Sequence, residues 1–244
     1  MSETNAAPVP DQGLLARAVG IIVSPGKTYE TVVAHPRPAT ILLAICLVLG
    51  LATAGPQFTE QGRAAVLEAQ TRAIEQRTHQ TITPQMAETM ASIGRYSGYA
   101  TFGSMFIFVP VISLLVAAVF WAIFNAILGG TASFKQVLAI VTHAQVIAAL
   151  GAVVSAPIIW VKGIQSAAGP FNLGALAPML DPSSFVATCL SSLNVFSLWQ
   201  IVVSAIGLAV LYRRKVSPIA AFLVIAYLLM VAGVTAVVSS FMNR

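Results

Sequence analysis

His143 is the strongest candidate in this sequence for a residue with a chemical role, because it is an ionisable side chain in a long apolar segment between Lys135 and Lys162. A neutral imidazole at membrane depth can bind a metal or relay a proton, and an ionisable residue there is a candidate functional site by default. Either role needs a second histidine or a carboxylate nearby, and the apolar segments of this chain contain neither. A histidine that is hydrogen bonded within a helix interface is therefore the favoured interpretation.

Three amides also lie in apolar surroundings, namely Asn125, Gln145 and Gln200. Together with His143 they form a candidate polar interior, and such a path would suit a facilitative transporter or a channel. The more common role of such side chains is an interhelical hydrogen bond worth about 0.6–2 kcal/mol. Both interpretations remain open at this point.

The polar region before residue 95 holds one further cluster, Glu68, Glu75 and His79. Glu75 and His79 are four residues apart and share a helix face, but Arg72 and Arg77 are interspersed among them. That alternation of charges is typical of a salt-bridged surface helix rather than a metal or acid–base site.

Familiar catalytic patterns are missing from the sequence. It has no His-Glu-x-x-His, no Gly-x-Ser-x-Gly, no Gly-x-x-x-x-Gly-Lys and no Cys-x-x-Cys. Its two cysteines, Cys46 and Cys189, give no disulfide framework and are expected to pack as apolar side chains. We therefore expect no catalytic, cofactor or metal site, and we expect that the protein is not an enzyme.

The elements that must position these residues are membrane helices. Of the 244 residues, 57% are hydrophobic and only 9% are charged, whereas soluble domains carry about 25% charged residues. Five intervals lack Asp, Glu, Lys and Arg altogether, at 38–59, 96–134, 136–161, 182–212 and 216–243. A crossing needs about 20 apolar residues. The sequence thus predicts an all-α polytopic membrane protein, a bundle of five transmembrane helices at about 39–55, 99–128, 137–161, 193–212 and 218–241.

The regions outside the spans divide into a tail, a segment and two loops. Residues 1–12 read as a disordered tail, and residues 13–37 as a cytoplasmic amphipathic segment before the membrane domain at 38–242. The loop at 57–95 predicts one or two amphipathic helices with a break at Pro84. A second loop, at 163–180, is rich in Gly and Pro, so a re-entrant segment there stays an alternative to a simple loop.

Positive charge suggests the orientation. The formal net charge is +5, but the basic residues are scattered, so nucleic acid is not an expected partner. Basic residues near span ends favour the cytoplasmic side. We therefore expect a bacterial inner membrane protein with its N-terminus in the cytoplasm and its C-terminus outside. The expected contacts with lipid headgroups are Arg37, Lys135, Arg213, Arg214 and Lys215.

Small residues recur four apart in four of the predicted spans, as in Ala148-Ala152-Ala156. Such stripes allow close helix packing within the bundle, or self-association through one face. We expect the internal bundle to use them, so that Ala152→Leu forces a bulky side chain into a close contact.

The order of these features resembles bacterial members of the Yip1 domain family. The residues that carry the resemblance are Ser24-Pro25 with Tyr29 and Pro36, the stretch Phe134–Leu138 followed by His143-Ala144, and the stretch Asn194–Gln200. The resemblance covers about residues 15–240 and implies a five-helix membrane domain with a cytoplasmic N-terminus. Eukaryotic relatives are linked to small GTPases, but their Asp-Leu-Tyr-Gly-Pro signature has no counterpart here, which argues against GTPase binding.

The resulting expectation is a non-catalytic integral membrane protein of Yip1-like type. It would act as a scaffold or adaptor through contacts with the lipid bilayer or with other membrane proteins, including copies of itself. The alternative is the facilitative transporter or channel with a polar path near His143.

Overall fold

The part of the chain that the structure describes contains five helices that are long and apolar enough to cross a membrane, as the charge-free intervals predict. The structure, a computed structural model, describes residues 12–78, 80–162, 169–181 and 184–242. Within that part the candidate spans are Pro38–Phe58, Ser97–Ile127, Phe134–Ile159, Val195–Tyr212 and Val216–Val237. The prediction of an all-α fold with five membrane-spanning helices is confirmed.

Ten α-helices account for nearly all of the described chain. They are α1 (Leu14–Val23), α2 (Pro25–Ala34), α3 (Pro38–Ala54), α4 (Glu60–Thr78), α5 (Pro84–Gly94), α6 (Ser97–Trp121), α7 (Phe134–Lys162), α8 (Phe185–Ser192), α9 (Val195–Tyr212) and α10 (Val216–Met242). A π-helical segment, Ala122–Ile127, continues α6, and short 3₁₀ turns lie at Gly55–Phe58 and Leu173–Leu176.

Proline and capping side chains determine where several helices begin. Proline is the first residue of α2, α3 and α5, a position at which its missing N–H costs no hydrogen bond. The Thr83 hydroxyl accepts a hydrogen bond from the Met86 N–H at the start of α5, and the Asn194 Oδ1 accepts one from the Phe196 N–H at the start of α9. These caps satisfy backbone donors that a helix start otherwise leaves unpaired.

The helix α7 is the centre of the bundle. In its most apolar window 67% of the residues are buried within the protein, against 11% for the span of α6 and 17% for that of α10. The helices α3, α6 and α9 pack around α7, whereas α10 packs mainly on α9. The outward surfaces of α6 and α10 are therefore left for lipid or for other proteins.

The predicted loop at 57–95 forms two helices, α4 and α5, with Pro84 as the first residue of the second. The 169–181 part of the other loop holds one 3₁₀ turn, and a single antiparallel bridge joins Asn172 to Asn194. The predicted disordered tail lies outside the described residues except for Gln12, as do residues 163–168 of the predicted loop and His79.

The spans differ from their predicted limits by a few residues. The third span begins at Phe134 rather than 137, and the fifth begins at Val216 rather than 218. In both places the helix begins within one turn before the predicted start of the span, because helix formation does not require the first turn to lie in hydrocarbon.

Candidate functional site

The first two helices form a hairpin that docks against the bundle. We call α1 and α2 together the N-terminal hairpin. Tyr29 of α2 is completely buried, and its hydroxyl donates a hydrogen bond to the Ile140 carbonyl of α7 at 3.3 Å. Its ring lies over Gly207 of α9, where an added Cβ would come within 2.9 Å of the ring. One side chain thus joins the hairpin to two spans.

Arg17 closes the open end of the N-terminal hairpin. Its side chain is only 2% exposed, although it is the one charged residue of α1. Its Nε donates to the Gln12 carbonyl and its Nη1 donates to the His35 carbonyl, both at 2.9 Å. The second bond ties the start of α1 to the end of α2.

The outer face of α1 is apolar. Leu15 is 80% exposed, Val19 is 59% exposed and Val23 is 75% exposed. An amphipathic helix on a soluble protein would bury these side chains and expose Arg17. The amphipathic segment predicted from the sequence is present, but its charged side points into the protein and its apolar side points away from it.

Asn125 of the candidate polar interior lies in the π-helical segment and connects two turns. Its Nδ2 donates to the Ala132 carbonyl at 2.6 Å, and its Oδ1 accepts from the Tyr212 hydroxyl at 2.8 Å. The Tyr212 ring also stacks on Phe124. The arrangement fastens the end of α9 to the connection between α6 and α7.

The other members of the candidate polar interior bond elsewhere. His143 is 1% exposed, and its Nδ1 donates to the Ala139 carbonyl of its own helix at 2.7 Å. The Gln145 Nε2 donates to the Ser113 hydroxyl of α6 at 2.7 Å, while its Oε1 is buried with no partner in the described part of the chain. Gln200 is partly buried in α9. No hydrogen bond in the described residues joins any two of the four.

The predicted headgroup contacts share one end of the bundle, which we call the basic end. All five are exposed, at Arg37, Lys135, Arg213, Arg214 and Lys215. The neighbouring chain segments meet there, because an added Cβ at Gly130 would lie 2.4 Å from the Tyr212 ring and the Gln136 Nε2 donates to the Val33 carbonyl at 3.3 Å.

The acidic cluster of α4 makes local contacts. Arg72 pairs with Glu68 at 2.9 Å on an exposed face, and the Glu75 Oε1 accepts from the Ile82 N–H at 3.2 Å. Within the described residues no three His, Cys, Asp or Glu side chains come together as a metal would require.

Besides an apolar cavity between the end of α3 and α7, two cavities lie toward the end opposite the basic end. One, of about 340 Å³, is lined by small residues of α7 and by the start of α9, including Ala152, Ser155 and Ser197. The other, of about 390 Å³, lies between α4, α5 and the first turns of α6 and includes Arg63. None of the four candidate polar residues lines either cavity.

Sequence reasoning missed the roles of Arg17, Tyr29 and Arg63. Arg17 carried a usable signal, since a lone arginine in an otherwise apolar helix must find partners. The groove at Arg63 could not be foreseen, because it depends on how α4 packs beside α5.

Comparison with known proteins agrees with this architecture. Residues 19–239 match the model of the Yip1 domain. The chain is 24% identical over 195 residues to "Membrane protein YknW" of Bacillus subtilis (strain 168), an alignment that covers 78% of this chain and 75% of that protein. No solved structure matches the chain. The family match extends over most of the chain, and the protein therefore belongs to the Yip1 domain family.

Proposed function

We propose that this protein is a non-catalytic membrane scaffold or adaptor whose main contact surface is the N-terminal hairpin. The observation that carries the proposal is the orientation of α1, which buries Arg17 and presents Leu15, Val19 and Val23 outward. A protein that used α1 only as a soluble cover for the bundle would have the opposite arrangement.

Lipid is the environment that suits the outer face of α1. Removing an aliphatic side chain of this size from water contributes about 1.5–3 kcal/mol. Amphipathic helices with such a face lie in the membrane interface, with their apolar side at the boundary between headgroups and acyl chains. The hairpin would thereby anchor one end of the bundle in a single leaflet.

The second helix of the hairpin offers a different surface. Lys27 and Glu30 are exposed on α2, whereas Thr28 and Tyr29 between them are buried. The polar side of α2 would face water and be available to a protein partner. Because Tyr29 fixes α2 to α7, binding there would be transmitted to the bundle without a flexible linker.

The basic end supports an orientation with the N-terminus in the cytoplasm of a bacterium and the C-terminus outside the inner membrane. Its five exposed cations would contact anionic headgroups, at about 1 kcal/mol for each charge near the surface. The transport alternative draws less support, because Asn125, His143 and Gln145 bond to separate partners and not to one another in the described part of the chain.

Site-directed spin labelling tests the lipid contact. Single cysteines would replace Val19 and Val23, with Lys27 and Glu30 as matched controls, in a background with Cys46→Ala and Cys189→Ala. After reconstitution of the full chain in bilayers, labels at 19 and 23 should be accessible to oxygen and shielded from a water-soluble nickel chelate. Labels at 27 and 30 should show the reverse. Equal access of the chelate to all four positions would refute the proposal.

A genetic complementation test distinguishes the scaffold hypothesis from the transporter hypothesis. Any growth or cellular defect of a deletion strain should be complemented by the His143→Ala variant and should not be complemented by the Val19→Lys variant. Both variants must be expressed and folded to the wild-type level. Complementation by the Val19→Lys variant, together with no complementation by the His143→Ala variant, would favour the transport path.

A further inference from the structure

A groove between α4, α5 and α6 is separate from the N-terminal hairpin and lies at the other end of the bundle. Its cavity of about 390 Å³ falls within the range of small-ligand sites. The walls are apolar, with Val66 and Leu67 on α4 facing Met90 and Ile93 on α5. We name it the Arg63 groove after its charged member.

Arg63 is the charged side chain among the described residues that line the groove. Its Nη1 donates to the Phe58 carbonyl at 3.2 Å, and it forms no ion pair in the described part of the chain. The carboxylate of Glu68, further along the same helix, is paired with Arg72. The remaining guanidinium N–H groups can therefore bind an anion, and their planar fork matches a phosphate.

The groove also lies at the level of the membrane surface. Its floor includes Ser97 and Ala100, in the first turns of α6, where the second span begins. Tyr96 and Tyr99 flank this point and are 64% and 69% exposed. Tyrosines of this kind are enriched where a span meets the headgroups, so two independent features place the bilayer interface beside the groove.

We infer that the Arg63 groove binds an anionic phospholipid, with the phosphate at Arg63 and part of one acyl chain between Leu67 and Met90. The apolar walls suit a hydrocarbon chain, and the unpaired cation suits a headgroup with net negative charge. The volume admits only part of a lipid, so the rest of the molecule stays in the bilayer. Phosphatidylglycerol meets these requirements, whereas phosphatidylcholine supplies a phosphate whose charge is already balanced.

Lipid binding to the delipidated full-length protein tests this inference. Native mass spectrometry in detergent would compare phosphatidylglycerol with phosphatidylcholine on the wild type, Arg63→Gln, Arg63→Lys and Arg72→Gln. The wild type should prefer phosphatidylglycerol by about tenfold, the size expected for one hydrogen-bonded charge pair. Arg63→Gln should lose that preference while its affinity for phosphatidylcholine stays the same.

Two controls make the outcome decisive. Arg63→Lys keeps the charge without the planar fork, so it should retain part of the preference for phosphatidylglycerol. Arg72→Gln removes a cation of the same helix that does not line the groove, so it should retain the whole preference. Met90→Gln should weaken the binding of both lipids. The inference would be overturned if Arg72→Gln lost the preference for phosphatidylglycerol as completely as Arg63→Gln, or if the wild type showed no preference. Because the test touches no residue of the N-terminal hairpin, its failure leaves the proposed scaffold role unaffected.

Discussion

Tyr29 shows how much of the docking of the N-terminal hairpin depends on one side chain. It fills the space above Gly207 and donates a hydrogen bond to the Ile140 carbonyl. Burial raises the pKa of the Tyr29 phenol well above its ordinary value, because the phenolate would lose its hydration. The neutral form is therefore the one that the docked hairpin requires.

This shift predicts a loss of stability at alkaline pH. The folded pKa of Tyr29 lies above the unfolded value of about 10, so its contribution is complete below that value and declines as the pH rises beyond it. Thermal unfolding in detergent should show a steeper decline for the wild type than for Tyr29→Phe, which costs about 0.5–1.5 kcal/mol at neutral pH. Tyr99→Phe, the same substitution at an exposed position, is the matched control. Parallel curves for the wild type and Tyr29→Phe would contradict the prediction.

At the scale of elements, the spans could be predicted and the docking of α1 could not. Charge-free intervals long enough to cross a bilayer identify the five helices, because a charge within hydrocarbon is costly. The pattern in Leu14–Val23 also identifies two faces. It cannot say which face meets the bundle, since lipid and protein interior both accept apolar side chains. Only the burial of Arg17 and its two hydrogen bonds to backbone carbonyls resolve that choice.

The contact between α7 and α9 changes the expectation for Ala152. The stripe of alanines suggested close packing at that residue, yet Ala152 lines the cavity of about 340 Å³. The tight contact is one residue earlier, at Gly151, where an added Cβ would lie 2.7 Å from the Phe196 ring. Sequence spacing identified the helix face but could not show where along it the neighbouring helix comes closest.

We therefore predict that Gly151→Val is the damaging change and Ala152→Leu the tolerated one. Valine at 151 must push Phe196 away, at about 1–3 kcal/mol if overpacking follows the range for soluble cores. Leucine at 152 has the cavity to enter. Thermal unfolding of both variants in one detergent gives the order, and a larger loss for Ala152→Leu would place the close contact at the alanine stripe after all.

At the scale of the whole molecule, the five spans form an uneven bundle. The span of α7 is surrounded by protein, whereas those of α6 and α10 have few buried residues. Because successive spans alternate in direction, the N-terminal hairpin and the α9–α10 turn lie at one end, and α4, α5 and the 169–181 segment lie at the other. The proposed contacts with lipid thus occur at both membrane surfaces.

Cysteine labelling in intact cells tests this arrangement and its orientation together. In the background with Cys46→Ala and Cys189→Ala, single cysteines would replace Glu88 in α5, Leu176 in the second loop, Lys27 in α2 and Ser217 at the start of α10, all of them exposed. Because cations concentrate at the basic end, a membrane-impermeant maleimide should label positions 88 and 176 directly. It should label positions 27 and 217 only after the cells are opened. The opposite labelling pattern would reverse the orientation and keep the fold. Different labelling at positions 88 and 176 would mean that the chain between them crosses the membrane an odd number of times. Five alternating spans do not allow that result, because two spans lie between these positions.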